Sequence, residues 1–266
     1  MSRNAGAARS IASVWRVLVE SARAQILVVR TNPTVPILTI VQPAVFLTLL
    51  VARGDALSPA QATDTVVAVI LTSMWGSTLW ATGGILRFEV ADGTLAKTMV
   101  ATVDARLVTI GKCLGVVALT LGLLLCTAAT MVAVLDVPIH LRNGGLIIVG
   151  LLSVAISGVT LGFALSGLFV LTRHAVHLTA ALTYPVFIFG GLIVPTSLLP
   201  GPFRWPSHLI NLYWANRFVA AAVQGSFDAK SLADLLLLSG AYLWTGWWLF
   251  ARMVDRSRSE GTLDLV

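Results

Sequence analysis

Residue types that carry catalysis or metal binding occur in this sequence only in incomplete sets. His174 and His177 are spaced to share a helix face, but no carboxylate accompanies them in a metal-ligand pattern. Gly111 and Lys112 form a Gly-Lys pair without the upstream glycine and the hydroxyl residue of a phosphate-binding loop. A Gly-x-Ser-x-Gly nucleophile motif does not occur. We therefore expect no enzyme activity, no metal and no cofactor in this chain.

The charged patch at residues 87–97 is the strongest candidate for a functional segment. Only 11% of the 266 residues are charged, yet Arg87, Glu89, Asp92 and Lys97 stand together between two long apolar runs. The Gly-Thr-Leu that follows Asp92, with apolar residues after it at helical spacing, predicts a short amphipathic helix. Such a segment is typical of a polar docking surface.

The elements around this patch are predicted to be membrane-spanning helices. Hydrophobic residues make up 57% of the chain and the mean hydropathy is +0.88, far above a soluble domain. A hydrocarbon core about 30 Å thick takes roughly 20 apolar residues in helical form. Continuous apolar runs favour helices over a barrel, whose strands would alternate with period two. The six predicted spans are Val35–Ala52, Val66–Leu86, Cys113–Leu135, Gly145–Leu171, Leu178–Leu199 and Leu232–Ala251.

Residues 9–31, before the first span, predict an amphipathic helix that lies in the membrane interface. Arginine recurs there at every seventh position, which places these side chains along one helix face. Glu20 is one turn from both Arg16 and Arg23 and can pair with them. This helix either anchors the topology or contacts a partner. The predicted fold is thus an all-α integral membrane protein, with one transmembrane domain over residues 1–266.

The distribution of Lys and Arg predicts the orientation. With the N-terminus inside, thirteen of the eighteen basic residues lie on the cytoplasmic side of the six spans. Both termini and the 87–97 patch are therefore expected in the cytoplasm, in a multi-pass protein of the plasma membrane. Because the basic residues flank spans, the net charge of +6 does not indicate nucleic-acid binding.

Two further patterns concern packing. Two stripes of small residues would let helix backbones approach closely: Gly111 with Gly115, and Gly158 with Gly162 and Ser166. Packing inside the bundle is the favoured interpretation over a subunit interface.

After the fifth span, residues 200–217 combine prolines with apolar and aromatic side chains. They predict a partly re-entrant segment at the outer face.

The spans offer no internal source of energy. Their charge-free cores contain no ionisable residue of the kind that marks a proton relay. Since a nucleotide-binding loop is also missing, uphill transport would need energy from another polypeptide. That partner would dock on the cytoplasmic face.

With these features on one chain, the sequence resembles the transmembrane subunits of type-2 ABC exporters over essentially its full length. Two local patterns carry the resemblance. The first comprises Glu89, Asp92, Gly93, Thr94, Leu95, Ala101, Thr102, Arg106, Gly111 and Lys112, with Val103 in place of the usual proline. The second comprises Gly191, Pro195, Leu199, Pro200, Gly201, Trp205 and Asn211.

The resemblance implies that residues 87–106 form a coupling segment that contacts a separate ATPase subunit. ATP and magnesium would be bound by that subunit and not by this chain. The residues implied in coupling are Glu89, Asp92, Gly93, Thr94, Leu95 and Arg106, together with Arg16, Glu20 and Arg23 of the amphipathic helix.

The resemblance also implies a dimer, with a second copy or a similar permease, around a central cavity. The expected cavity residues are Thr72, Trp75, Thr78, Thr183, Phe187 and Phe189. Their hydroxyl and aromatic groups suit an amphipathic or hydrophobic substrate, as in multidrug resistance; lipid, peptide and polysaccharide export stay open. The arginine-rich composition suggests a bacterial source. A membrane scaffold or assembly protein in contact with lipid is the alternative function.

Overall fold

The structure is a computed structural model that describes residues 2–32, 34–52, 58–100, 103–139, 142–172, 175–190, 201 and 205–260. Every regular element within these ranges is helical, which confirms the predicted all-α class. A π-helical turn at Thr78–Thr82 follows the third helix, and a 3₁₀ turn at Pro206–Leu209 precedes the ninth. The α-helices are α1 (Ser2–Thr31), α2 (Thr34–Ala52), α3 (Pro59–Ser77), α4 (Ile85–Ala91), α5 (Leu95–Val100), α6 (Ala105–Val134), α7 (Gly144–Leu171), α8 (Ala175–Phe189), α9 (Asn211–Val223) and α10 (Ala229–Glu260).

Three helical stretches of the described chain are long and apolar enough to cross a membrane. They are Pro59–Ala91, Ala105–Val134 and Gly144–Leu171. α1 and α2 add a fourth if this pair, bent by 78°, counts as one span. The fifth predicted span is described only as far as α8 and residue 190, and 191–200 lie outside the described residues. The count of six spans and the interfacial position of residues 9–31 therefore stay predictions.

Capping side chains set where the long helices begin. Ser58 forms a capping box with Gln61, and Pro59 occupies the first turn of α3, where its missing N–H costs no helical hydrogen bond. The Asp104 carboxylate accepts from the Arg106 N–H at the start of α6. The Asn143 side chain accepts from two backbone N–H groups of α7 in the same way.

α3, the π turn and α4 form one rod that links the two ends of the bundle. Its 33 residues span roughly 50 Å at 1.5 Å per residue, more than the hydrocarbon core requires. The C-terminus of this rod lies at the α4–α5 end of the molecule. Its N-terminus lies at the opposite end, which we call the α9–α10 end. There the Arg142 N–H donates to the Val223 carbonyl at 3.3 Å.

The core runs between these two ends as three buried clusters. The central cluster includes Leu71, Trp75 and Leu161, and a second cluster near the α4–α5 end includes Phe163 and Phe250, whose rings stack at 6.1 Å. A third lies toward the α9–α10 end, between α2, α3 and α6. The fold thus places a continuous apolar interior under both polar ends.

Close backbone contacts confirm that the glycine stripes serve packing inside the chain. A Cβ on Gly111 would lie 2.8 Å from the Leu18 carbonyl oxygen, and one on Gly115 would overlap the backbone of Ala22. On α7, a Cβ on Gly162 would collide with the Thr82 side chain. α1 therefore rests directly on the first half of α6, with no room for a side chain between them.

Candidate functional site

The charged segment forms a tight turn between α4 and α5. Gly93, two residues after the end of α4, lies in the left-handed region at φ +64°. The Gly93 N–H donates to the Val90 carbonyl at 3.1 Å. The Thr94 N–H donates to the Glu89 carbonyl at 2.8 Å. These two bonds are the Schellman pattern, which ends a helix cleanly and favours glycine at this position.

A buried ion pair attaches this turn to α6. The Lys112 ammonium lies 2.5 Å from the Glu89 carboxylate, and the two side chains are only 18% and 9% exposed. The Thr98 hydroxyl of α5 donates to the other carboxylate oxygen of Glu89 at 3.2 Å. One carboxylate therefore holds α4, α5 and α6 together. Removing one partner of such a pair leaves an uncompensated buried charge, at a cost of about 3–5 kcal/mol.

The predicted docking residues of this segment divide into an inward and an outward set. Leu95 is 3% exposed and belongs to the cluster that contains Phe163 and Phe250, so it anchors α5, as Glu89 anchors α4. Asp92, Gly93 and Thr94 are exposed. The outward set thus forms the apex of a turn whose base is buried. Ala101 and Thr102 lie outside the described residues.

Arg106, the last predicted coupling residue of the segment, faces the C-terminal helix. Its guanidinium carbon lies 4.5 Å from the centre of the Trp247 ring of α10. Stacking of this kind stabilises a desolvated arginine by about 0.5–2 kcal/mol. Arg106 therefore joins the start of α6 to α10, and its predicted role in coupling stays a prediction.

The exposed face of α1 carries the other predicted coupling residues. Arg16, Glu20 and Arg23 are all exposed, and the Arg23 guanidinium lies 3.3 Å from the Glu20 carboxylate, as the spacing predicted. An exposed pair of this type contributes little to stability. Gly111 of α6 contacts α1, and the adjacent Lys112 binds Glu89 of α4. The predicted coupling residues of α1 and those of the charged segment are therefore connected to the same turn of α6.

The predicted cavity residues on the second span face the interior of this chain. Thr72, Trp75 and Thr78 are buried, and both hydroxyls donate to the backbone carbonyl one turn earlier. Trp75 and Thr78 line a partly open cavity of about 20 Å³, room for about one water molecule. Thr183 and Phe189 are half-buried on α8, and the side chain of Phe187 is outside the described residues. A role in a central transport cavity stays a prediction for all six.

Sequence reasoning missed a polar contact at this small cavity. The Asn211 amide donates to the Ser157 hydroxyl at 2.7 Å, across α9 and α7. The Asn211 side-chain oxygen and the Trp75 indole nitrogen are buried without a hydrogen-bond partner among the described residues. A serine in the middle of an apolar run is the sequence signal that could have revealed this contact.

The predicted re-entrant segment, 200–217, enters the bundle where it is described. Its residues 200 and 202–204 lie outside the described residues, as does most of the second family-like pattern. From Pro206 onward the chain forms a 3₁₀ turn and then α9, whose first residue, Asn211, reaches Ser157 near the middle of α7. Ser207, Asn211 and Trp214 are buried in the bundle, whereas Trp205 and Leu209 are exposed.

The histidine pair offers no metal site in the described part of the chain. His177 is exposed on α8 and His174 lies outside the described residues. No group of three or more metal-ligating side chains occurs among the residues that the structure describes.

Comparison with known protein families identifies this architecture. The family model described as ABC-2 type transporter matches residues 14–223, which include the C-terminal part of α1, the charged segment and α9. No curated protein matches the chain. Members of this family are the membrane component of an ABC transporter, and the ATPase is another component. The chain therefore belongs to the ABC-2 type transporter family and is a transmembrane permease subunit of an ABC transporter.

Proposed function

We propose that this permease is half of an ATP-driven exporter, operated by an ATPase subunit that docks on the turn between α4 and α5. The observation that carries the proposal is the construction of that turn. Its apex, at Asp92, Gly93 and Thr94, is exposed, while Glu89 and Leu95 fix its base to the bundle. A force applied at the apex is therefore transmitted to α6.

The convergence of α1 and the turn on α6 supports a two-part docking surface. The exposed face of α1, with Arg16, Glu20 and Arg23, is held against Gly111 and Gly115. ATP-driven closure of two ATPase subunits would tilt both parts together. The spans then shift between inward-open and outward-open populations, driven by nucleotide bound to the partner.

A complete transport path requires a second permease copy or a paralogue. The cavity candidates Trp75 and Thr78 lie in a single-chain void of about 20 Å³, too small for a substrate. The small size of this void supports a route that forms between two permeases. We infer an amphipathic or hydrophobic cargo, as in multidrug export, moved out of the cytoplasm of a bacterial cell whose plasma membrane holds both termini of the chain on the cytoplasmic side.

Charge reversal at the apex tests the proposal. Asp92→Lys changes an exposed side chain, so the variant is expected to fold and insert normally while transport and stimulation of the co-expressed ATPase subunit fall about tenfold or more. Lys230→Glu, an exposed charge reversal at the opposite end, is the control. Unaltered ATPase stimulation in Asp92→Lys would contradict docking at this turn and favour a scaffold role.

A further inference from the structure

The α9–α10 end contains a polar cleft that the transport cycle described above does not use. Its volume is about 690 Å³, and three elements line it: the start of α3, the connection between α6 and α7, and the end of α9. Asp64 and Arg142 are the charged residues of the lining, and Ser58, Gln224 and Ser226 add neutral polar groups. Opposite charges therefore face one solvent-accessible space.

The Asp64 carboxylate and the Arg142 guanidinium form no ion pair among the described residues, and the bond of Arg142 to the Val223 carbonyl comes from its backbone N–H. One carboxylate oxygen of Asp64 is buried without a hydrogen-bond partner in the same ranges. A buried carboxylate oxygen without a partner is costly, because it has lost its hydration without compensation. A bound ligand with a donor group would supply the missing partner.

An apolar groove lies next to the cleft. It has a volume of about 310 Å³ and, except for Thr63, is lined by apolar side chains of α3, α6, α7 and α9 and of the α6–α7 connection. Val223 lines both spaces, and Thr63 of the groove is next to Asp64 of the cleft. Leu151 on α7 is half-buried and Ala129 on α6 is exposed, so the groove opens sideways between these helices.

The position of the two spaces matches the layers of a membrane. The groove lies along the apolar ends of α6 and α7, both of which can span a bilayer. Asp64 lies two residues before the charge-free run Val66–Leu86, at the level where headgroups begin. The groove therefore lies at the level of the lipid chains, and the cleft lies at the level of the headgroups.

We propose that this end of the molecule binds a zwitterionic phospholipid with a primary amine, such as phosphatidylethanolamine. Arg142 binds the phosphate, for which a guanidinium is well suited, and the Asp64 carboxylate accepts hydrogen bonds from the ammonium group. One acyl chain occupies the groove between α6 and α7. The combined volumes fall within the range of roughly 300–1,000 Å³ that ligand sites usually occupy.

Native mass spectrometry of the purified full chain tests this proposal, because bound lipid is counted directly and no ATP is needed. The probes are phosphatidylethanolamine, its N-methylated and N,N-dimethylated forms, phosphatidylcholine and phosphatidylglycerol, with identical acyl chains. We expect retention of phosphatidylethanolamine to exceed that of phosphatidylcholine and phosphatidylglycerol about tenfold, as one charge-assisted hydrogen bond provides. Retention should fall with each added methyl group.

Three variants separate the parts of the site. Asp64→Asn should remove most of the preference for the phosphatidylethanolamine headgroup. Arg142→Gln should lower the retention of every phospholipid about tenfold. Ala129→Trp should fill the groove and lower retention whatever the headgroup. Matched controls at the same end are Asp136→Asn, at a positive φ of 50° that asparagine tolerates, and Lys230→Gln.

Equal retention of phosphatidylethanolamine and phosphatidylcholine by the unmodified chain would overturn the proposal, and this result does not depend on the folding of any variant. The same retention in Asp64→Asn as in Asp136→Asn would also overturn it. Transport can fail or succeed independently of these outcomes, since the site lies away from the α4–α5 turn.

Discussion

Two pairs of opposite charges, one near each end of the bundle, differ in whether their members bind each other within the chain. At the α4–α5 end, Glu89 and Lys112 are buried against each other, and the carboxylate accepts a further bond from Thr98. At the α9–α10 end, Asp64 and Arg142 face a cleft and form no ion pair in the described chain. A charge satisfied within the chain fixes shape, whereas a charge left facing a cavity is available to something that binds there.

The difference also distinguishes a rigid site from a site that can bind a ligand. The turn at the α4–α5 end has its base fixed to the bundle by Glu89 and Leu95, which suits the transmission of force from a partner. The cleft at the α9–α10 end has polar groups around an open volume, which suits a ligand that brings its own charges. Substitutions at each end test this difference.

Removing Lys112 should have the largest effect. Lys112→Met leaves the Glu89 carboxylate buried without its partner, and we expect a loss of about 3–5 kcal/mol in stability. The double variant Glu89→Gln, Lys112→Met should recover most of it, because a neutral amide can still bond to Thr98. Melting temperatures in detergent measure the loss in the single variant and the recovery in the double variant. Asp64→Asn at the other end should change the melting temperature much less, and equal losses at the two ends would erase the contrast.

A matched pair of glycine substitutions on α6 tests how firmly α1 is seated. A Cβ on Gly115 would lie 2.9 Å from the Ala22 Cα, while one on Gly122 has no heavy atom within 4 Å. Gly115→Ala should therefore cost about 1–3 kcal/mol through overpacking, and Gly122→Ala should be neutral or stabilising by up to about 1 kcal/mol. Thermal unfolding compares them. Similar melting temperatures for the two variants would mean that α1 does not rest on α6 as described.

Gly93 at the apex should show a smaller effect, caused by the backbone alone. Its φ is +64° and a Cβ there would meet nothing within 4 Å. Gly93→Ala should cost about 1 kcal/mol, and Gly93→Asn less, because asparagine tolerates the left-handed region. Hydrogen exchange of the Thr94 N–H, which bonds to the Glu89 carbonyl, reports the local loss. Faster exchange in the asparagine than in the alanine variant would contradict this account.

The smallest predicted effect concerns Asp228, at the start of α10. Two hydrogen bonds from Ser231, from its hydroxyl at 2.6 Å and its N–H at 3.1 Å, hold the pKa of the Asp228 carboxyl below its usual range. A lowered folded pKa stabilises the protein above the unfolded value of about 3.9, and this contribution disappears as the pH falls through the folded value. Ser231→Ala should raise the Asp228 pKa, as measured by NMR titration of the carboxyl carbon. An unchanged pKa in that variant would show that Ser231 is not the cause.

The sequence predicted the helices and the membrane class, because apolar runs of span length have few other solutions. Gly111 and Gly115 were likewise interpreted correctly as packing positions. Which residues of the charged segment face inward was not predictable. Glu89 and Leu95 were both predicted as docking residues. Glu89 is instead paired with Lys112, 23 positions further along the chain, and Leu95 packs in the cluster that contains Phe163 and Phe250.

The cleft at the α9–α10 end escaped prediction for a related reason. Asp64 and Arg142 are far apart in sequence, and each stands next to an apolar run, where a single charge is ordinary. Only the fold brings the start of α3, the α6–α7 connection and the end of α9 around one space. Long-range juxtaposition of this kind leaves no periodic or local signal.

Site-specific photo-cross-linking in membranes that contain the co-expressed ATPase subunit shows which end of the permease this subunit contacts. A photoreactive residue at Thr94, on the exposed apex, should form a covalent bond to the ATPase subunit, while one at Lys230, exposed at the opposite end, should not. Cross-linking from position 230 with none from position 94 would place the partner on the wrong end of the molecule and contradict the account.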